Sequence, residues 1–181
     1  MNKLIIGFGA VLLVVIALVV FVDFEDVQES PKGTASLTVG DLSVSINYGR
    51  PSVRGRVIFG TSDDKALQPF GKYWRLGANE ATEITFNKDV TFNGNSVKAG
   101  SYRVYAVPGA DAFEIGLNSE LGKWGYDEPD YSKDLFKTPV AVKKLTTPVE
   151  QLTISMKESD GGVSIIMDWA NVQLQIPIKA Q

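Results

Sequence analysis

Neither cysteine nor histidine occurs anywhere in this chain. The missing thiols exclude disulfides, thiol nucleophiles, Cys-ligated metals and acylation at an N-terminal lipoprotein cysteine. The missing imidazole excludes Ser-His-Asp triads, zincin helices and any histidine general base. A basic surplus is lacking as well. The 18 Lys and Arg stand against 21 Asp and Glu, net −3, which opposes sequence-independent nucleic-acid binding. Internal repeats, low-complexity tracts and amphipathic helix patterns are also missing. Any catalysis is left to carboxylates, lysine, tyrosine or an external cofactor, and no residue pattern asks for a metal or cofactor.

What is present begins with Leu4 to Val22, nineteen uncharged residues of which fifteen are Leu, Ile, Val or Phe. As a helix the run reaches roughly 28 Å, close to the ~30 Å hydrocarbon thickness of a bilayer. The competing explanation is a cleaved signal peptide, but the exit Val20-Phe21-Val22-Asp23 has no Ala-x-Ala pattern. An uncleaved anchor is therefore expected. Lys3 precedes the run and no cation follows until Lys32, so the positive-inside rule puts the N-terminus in the cytoplasm. This predicts a single-pass protein of the cytoplasmic (inner) membrane, with the bilayer as partner through residues 4–22. Residues 1–22 would be the anchor, the acidic stretch 23–35 a polar tether, and 36–181 one domain facing the periplasm or exterior.

From Ala35 onward the apolar signal has period two. Leu42, Val44, Ile46 and Tyr48 alternate with Ser43, Ser45 and Asn47, the pattern of a strand with one buried face. Arg56–Phe59, Thr82–Phe86, Val90–Phe92, Tyr102–Val107, Phe113–Leu117, Val140–Leu145, Leu152–Met156, Val163–Trp169 and Val172–Ile178 read the same way. Turn signals separate them at Asn93-Gly94-Asn95, Ser159-Asp160-Gly161-Gly162 and Ala170-Asn171. Ten or eleven short strands without disulfides predict an all-β antiparallel β-sandwich, jelly-roll-like, behind one N-terminal transmembrane helix. A closed barrel is the runner-up. Ser119 to Thr138 breaks the pattern. It is rich in Gly, Asp and Lys, carries Trp124, Tyr126 and Tyr131, and reads as a long loop with one helical turn, a length often tied to function.

Four of the five arginines, Arg50, Arg54, Arg56 and Arg75, fall between Tyr48 and Phe86. Three runs stand out there and just beyond: Arg50-Pro51-Ser52-Val53, Trp74-Arg75-Leu76-Gly77-Ala78-Asn79-Glu80-Ala81-Thr82, and the Ala99-Gly100-Ser101-Tyr102…Pro108-Gly109 hairpin. With these motifs the chain resembles the DUF2911 family of uncharacterised bacterial envelope domains, over roughly residues 36 to 178. The Trp169 strand also fits. The resemblance implies a β-rich fold in an exported setting and no known activity. The family's more usual aromatic after Pro-Gly appears here as Phe113, a mild departure.

Physically, Arg50, Arg54 and Arg75 offer guanidinium forks suited to carboxylate, phosphate or sulfate. Trp74 would give a stacking wall for a sugar ring, with Asn79 and Glu80 as hydrogen-bonding groups of a small cleft. The structural alternative makes Arg75 and Glu80 a loop-pinning ion pair, Trp74 a core plug, and Arg54 an edge-strand charge. Three further patterns carry less. Ser62-x-x-Lys65 has the spacing of serine acyltransferases but lacks their companion motifs. Asp127, Glu128 and Asp130 are Ca²⁺-type ligands without EF-hand spacing. Glu80 and Glu83 are imaginable as a glycosidase pair. The expectation is a non-catalytic binding module for envelope glycan, an anionic ligand or an envelope protein. The alternative is a carboxylate-dependent hydrolase of envelope carbohydrate using Glu80.

Overall fold

The computed structural model describes residues 30–181. The expected transmembrane run 4–22 and most of the expected tether lie outside these residues. Among the described residues no helix is long and apolar enough to cross a membrane. Their helical content is a 3₁₀ turn at Tyr131–Lys133.

The remaining regular structure is strand, as period-two burial requires. In chain order the strands are β1 (Lys32–Val39), β2 (Leu42–Gly49), β3 (Phe59–Gly60), β4 (Gln68–Pro69), β5 (Thr82–Phe86) and β6 (Val90–Phe92). Then follow β7 (Asn95–Val97), β8 (Gly100–Val107), β9 (Ala112–Asn118), β10 (Asp134–Ala141), β11 (Lys143–Ser159) and β12 (Gly162–Ala180). A six-stranded sheet runs β1-β2-β5-β8-β9-β10 and a four-stranded sheet runs β11-β12-β6-β7, both antiparallel. β3 and β4 form a short parallel pair.

One core joins the two sheets. Ile46, Ile84, Val104 and Ile115 of the large sheet share it with Ile154, Ile165, Met167 and Ile176 of the small one, giving an all-β, sandwich-like fold. At one end it becomes aromatic. Trp74 stacks on Trp169 at 5.6 Å, and the Phe59 ring meets both indoles and Phe113 edge-on. Phe59 reaches that cluster from the brief β3, all that forms of the expected Arg56–Phe59 strand.

Several boundaries differ from the sequence pattern, each for a physical reason. β1 starts at Lys32, inside the expected tether, because its first residues, Lys32-Gly33-Thr34, carry no large apolar side chain and the alternation becomes visible only from Ala35. Val163–Trp169 and Val172–Ile178 are one continuous strand, β12. The expected turn at Ala170-Asn171 is an irregularity in which Ala170 takes φ 50° opposite Val149, where the pairing shifts. The long loop ends early, since β10 starts at Asp134; Val140–Leu145 is split between β10 and β11.

β8 and β9 carry the feature that positions the site. Val104 and Ala106 point into the core, so Arg103 and Tyr105 take the outer face. Both are nevertheless buried, as is Asn118 on β9, because the segment 119–133 folds back over that face. Gly116 makes this possible: a Cβ there would sit 2.2 Å from the Tyr105 ring. A polar, aromatic second core thus anchors the long loop.

Candidate functional site

The loop is built rather than slack. Arg103, 1% exposed, donates from its guanidinium to the Tyr73 hydroxyl and the Asp127 carbonyl, and the Tyr73 hydroxyl donates to Gly125 O at 2.8 Å. Asn118 Nδ2 donates to Asp130 O and Asp134 Oδ1. The Tyr105 hydroxyl donates to Asp134 Oδ2 at 2.6 Å, and Lys133 pairs with Glu120. Burial raises the Tyr105 pKa, and the adjacent Asp134 carboxylate raises it further, so the phenol stays protonated. Backbone pairing fixes the loop's other edge: Ala81 N donates to Lys123 O and Gly125 N to Asn79 O. Glu80 and Trp124 therefore face each other as a bridge pair. Gly125 is required here, since a Cβ would lie 2.7 Å from both Asn79 O and the Arg75 Cδ.

Beside this bridge opens a cleft of about 510 Å³, between the start of β1, the end of β2, the Glu80–Glu83 segment and Gly122–Trp124. Trp124, 52% exposed, forms one wall. The polar groups around it are mixed in sign. Lys32 Nζ pairs with Glu80 Oε1 at 2.8 Å, Glu83 Oε1 accepts from Gly122 N, and Thr34 Oγ1 donates to Asn47 Oδ1. The hydrogen bond from Lys32 holds the Glu80 carboxyl below its ordinary value, so it is anionic at neutral pH.

A second cleft, about 620 Å³, is lined by Leu67, Gln68, Tyr73, Trp74, Arg75, Tyr126, Asp127 and Glu128. There the Arg75 guanidinium sits 5.8 Å from the centre of the Tyr126 ring, and its Nη1 reaches Asn79 O at 3.5 Å. The two clefts are lined by successive stretches of the same loop, Gly122–Trp124 for the first and Tyr126–Glu128 for the second.

The residues singled out in the sequence are distributed unevenly. Glu80 lines the first cleft. Arg75 lines the second, so the expected Arg75–Glu80 ion pair does not form; Lys32 takes that place. Trp74 is 1% exposed and pairs its backbone with Ala106, a core plug instead of a sugar-stacking wall. Arg50 donates to Leu152 O and Thr153 Oγ1 and its backbone N to Pro31 O, tying the end of β2 to β11. Asn79, in the left-handed region at φ 61°, donates from Nδ2 to Ser30 O. Arg54 occupies an exposed turn at φ 50°, where its backbone N donates to the Glu150 carboxylate, and it lines neither cleft. The arginines do not converge. Glu128 and Asp130 accept from Tyr131 and Ser132, and Ser62 and Lys65 form an exposed turn.

Sequence reasoning misses Trp124 as the wall, with Lys32 and Asn47 near it, whereas Glu83 lines the same cleft as Glu80. The available signal was an indole in a Gly- and Asp-rich loop, outside every period-two run, where no sheet face demanded it.

With the geometry in place, comparison with known proteins adds one match. Residues 30–178 match the family described as "Protein of unknown function (DUF2911)". No curated protein and no solved structure matches the chain.

Proposed function

We propose that this chain, which belongs to the DUF2911 family, is a membrane-anchored, outward-facing, non-catalytic binding module of the bacterial cell envelope. Its ligand is a neutral envelope glycan taken up in the cleft beside Trp124. The carrying observation is that cleft: a half-exposed indole opposite a ring of carboxylate, amide, hydroxyl and ammonium groups. Sugars are bound by such pairing, with an aromatic face under the C–H surface and short polar side chains on the hydroxyls.

Three observations support this choice over its rivals. The cleft carries both Lys32 and Lys123 and both Glu80 and Glu83, so its charges compensate and favour no anion. Arg50, Arg54 and Arg75, the forks an anionic ligand would need, are held at three separate places. A general acid for glycoside hydrolysis needs a raised pKa, whereas Glu80 is held low by Lys32. Anchoring rests on the nineteen-residue apolar run with Lys3 before it, and the exported setting on that topology. The jelly-roll-like sandwich is the scaffold that holds the loop.

Tryptophan emission of the purified full chain in detergent tests the reading. Trp124 is the exposed one of three indoles, so a neutral oligosaccharide seated on it should blue-shift the emission saturably. Trp124→Ala, which removes the reporter ring and is therefore read by titration calorimetry, should weaken binding at least about tenfold, the loss of ~1.4 kcal/mol. A panel of envelope oligosaccharides that leaves the emission unmoved would sink the proposal. Turnover of any member, abolished by Glu80→Gln, would replace it with the hydrolase.

A further inference from the structure

We infer that the loop carrying Leu121, Trp124 and Tyr126 is an interfacial foot that rests on the bilayer in which the chain is anchored. The inference rests on the anchor reading above and makes the bilayer a second occupant of Trp124 that competes with the glycan, since one ring cannot lie on lipid and on sugar at once. Leu121 is 43% exposed, Trp124 52% and Tyr126 74%, three large apolar or amphipathic side chains within six residues. Lys123 stands among them. Tryptophan and tyrosine prefer the water–lipid boundary, where the ring is buried and the polar edge stays wet, and lysine can extend its ammonium toward the headgroups.

The place where the chain enters the domain makes the bilayer the occupant. Ser30 O accepts from Asn79 Nδ2, Pro31 O accepts from Arg50 N, and Lys32 pairs with Glu80, which itself bridges Trp124. The motif residues Asn79 and Arg50 thus clamp the incoming chain against the loop that bears the foot. Between Val22, the end of the expected span, and Ser30 lie residues 23–29. Seven residues reach at most about 25 Å fully extended. The tethered end of the domain is therefore the end that carries the three exposed side chains. A short tether also supplies an effective concentration of about millimolar, so even a weak interfacial preference keeps the foot down.

Charge does not drive this contact. Lys32 and Lys123 are offset by Glu80 and Glu83 beside them, and Asp23, Glu25, Asp26 and Glu29 precede them. The docking is expected to be equal on zwitterionic and anionic membranes.

The full-length chain reconstituted in phosphatidylcholine liposomes provides the test, using lipids brominated close to the headgroup as quenchers. Trp74 and Trp169 are sealed in the core at 1% and 0% exposure, so contact quenching reports Trp124. The expected result is loss of up to the share of one ring in three, absent in Trp124→Phe and reduced by Leu121→Glu. Replacing part of the phosphatidylcholine by phosphatidylglycerol should change nothing. A chain that floats with the liposomes but shows equal emission in brominated and plain lipid overturns the foot and leaves the anchor standing. Quenching confined to anionic vesicles and lost in high salt overturns it too, in favour of charge-led adsorption. A chain that fails to float removes the anchor, and the foot with it.

Discussion

Of the two roles open to it Trp74 takes that of core plug, while Trp124 is the exposed cleft wall, and replacing each by alanine measures that division. Trp74 is 1% exposed, stacked on Trp169 at 5.6 Å and met edge-on by Phe59 at 5.3 Å. An indole so placed removes roughly 150–250 Å² from water, worth about 4–6 kcal/mol at ~25 cal/mol/Å² as an upper bound. Trp→Ala changes in cores cost about 3–5 kcal/mol once partial collapse is allowed for. For a domain of this size 1 kcal/mol corresponds to about 2–4 °C, so Trp74→Ala should lower Tm by roughly 6–20 °C. Trp124→Ala removes a half-exposed ring from a cleft wall and should stay within about 0.5 kcal/mol of wild type. Trp74→Phe should fall between, since it keeps a ring against Phe59 and deletes an indole N–H that has no hydrogen-bond partner. Thermal unfolding followed by far-UV circular dichroism in detergent decides the matter. If Trp74→Ala keeps its Tm while Trp124→Ala collapses, the assignment of core and cleft is wrong and the motif indole returns as a ligand wall.

Other variants probe the supports of the site. Gly49→Ala should cost about 1–3 kcal/mol or abolish folding, because its Cβ would lie 2.0 Å from the Ala78 carbonyl, a backbone atom with nowhere to retreat; denaturant midpoints read this directly. Tyr105→Phe deletes the bond to Asp134 beneath the long loop. It should lose about 1.5–3 kcal/mol, with faster amide exchange in residues 119–133; an unchanged exchange pattern would show that the loop is held elsewhere. Asp41, Asp64, Glu80, Asp89, Glu120 and Asp130 all have depressed pKa values, mainly from lysine partners or local hydrogen bonds. Their stabilisation is complete above the ordinary values of 3.8 and 4.5 and is lost as pH falls through the lowered folded values. With no histidine to titrate, Tm should be flat from about pH 6 to 9 and decline below about pH 4.5, a profile that a maximum near pH 7 would contradict.

How much was legible in the sequence varies with the kind of information each residue carries. Period-two alternation in Leu42–Tyr48, Thr82–Phe86 and Val90–Phe92 specifies strands almost to the residue, because one face of each is buried and a one-residue slip would expose it. Edge strand β1 and the polar outer face of β8 were opaque. The first alternates visibly only from Ala35, so its start at Lys32 leaves no apolar mark. The second is buried by a loop, and no local rule anticipates that Arg103 and Tyr105 lie under residues distant in the chain.

The site divides along the same line. Motif residues Arg50, Trp74 and Asn79 drew notice as ligand groups, yet they pin β11, fill the core and hold the entering chain. Side-chain chemistry alone cannot separate these roles, since a guanidinium meets a carbonyl as readily as a phosphate. What sequence alone determined is composition and alternation: an imidazole-free, thiol-free all-β domain behind an apolar run long enough to span lipid. Only tertiary structure decided which indole is wall and which is plug. Burial depends on what the rest of the chain lays over a residue, and that is a property of contacts far apart in sequence.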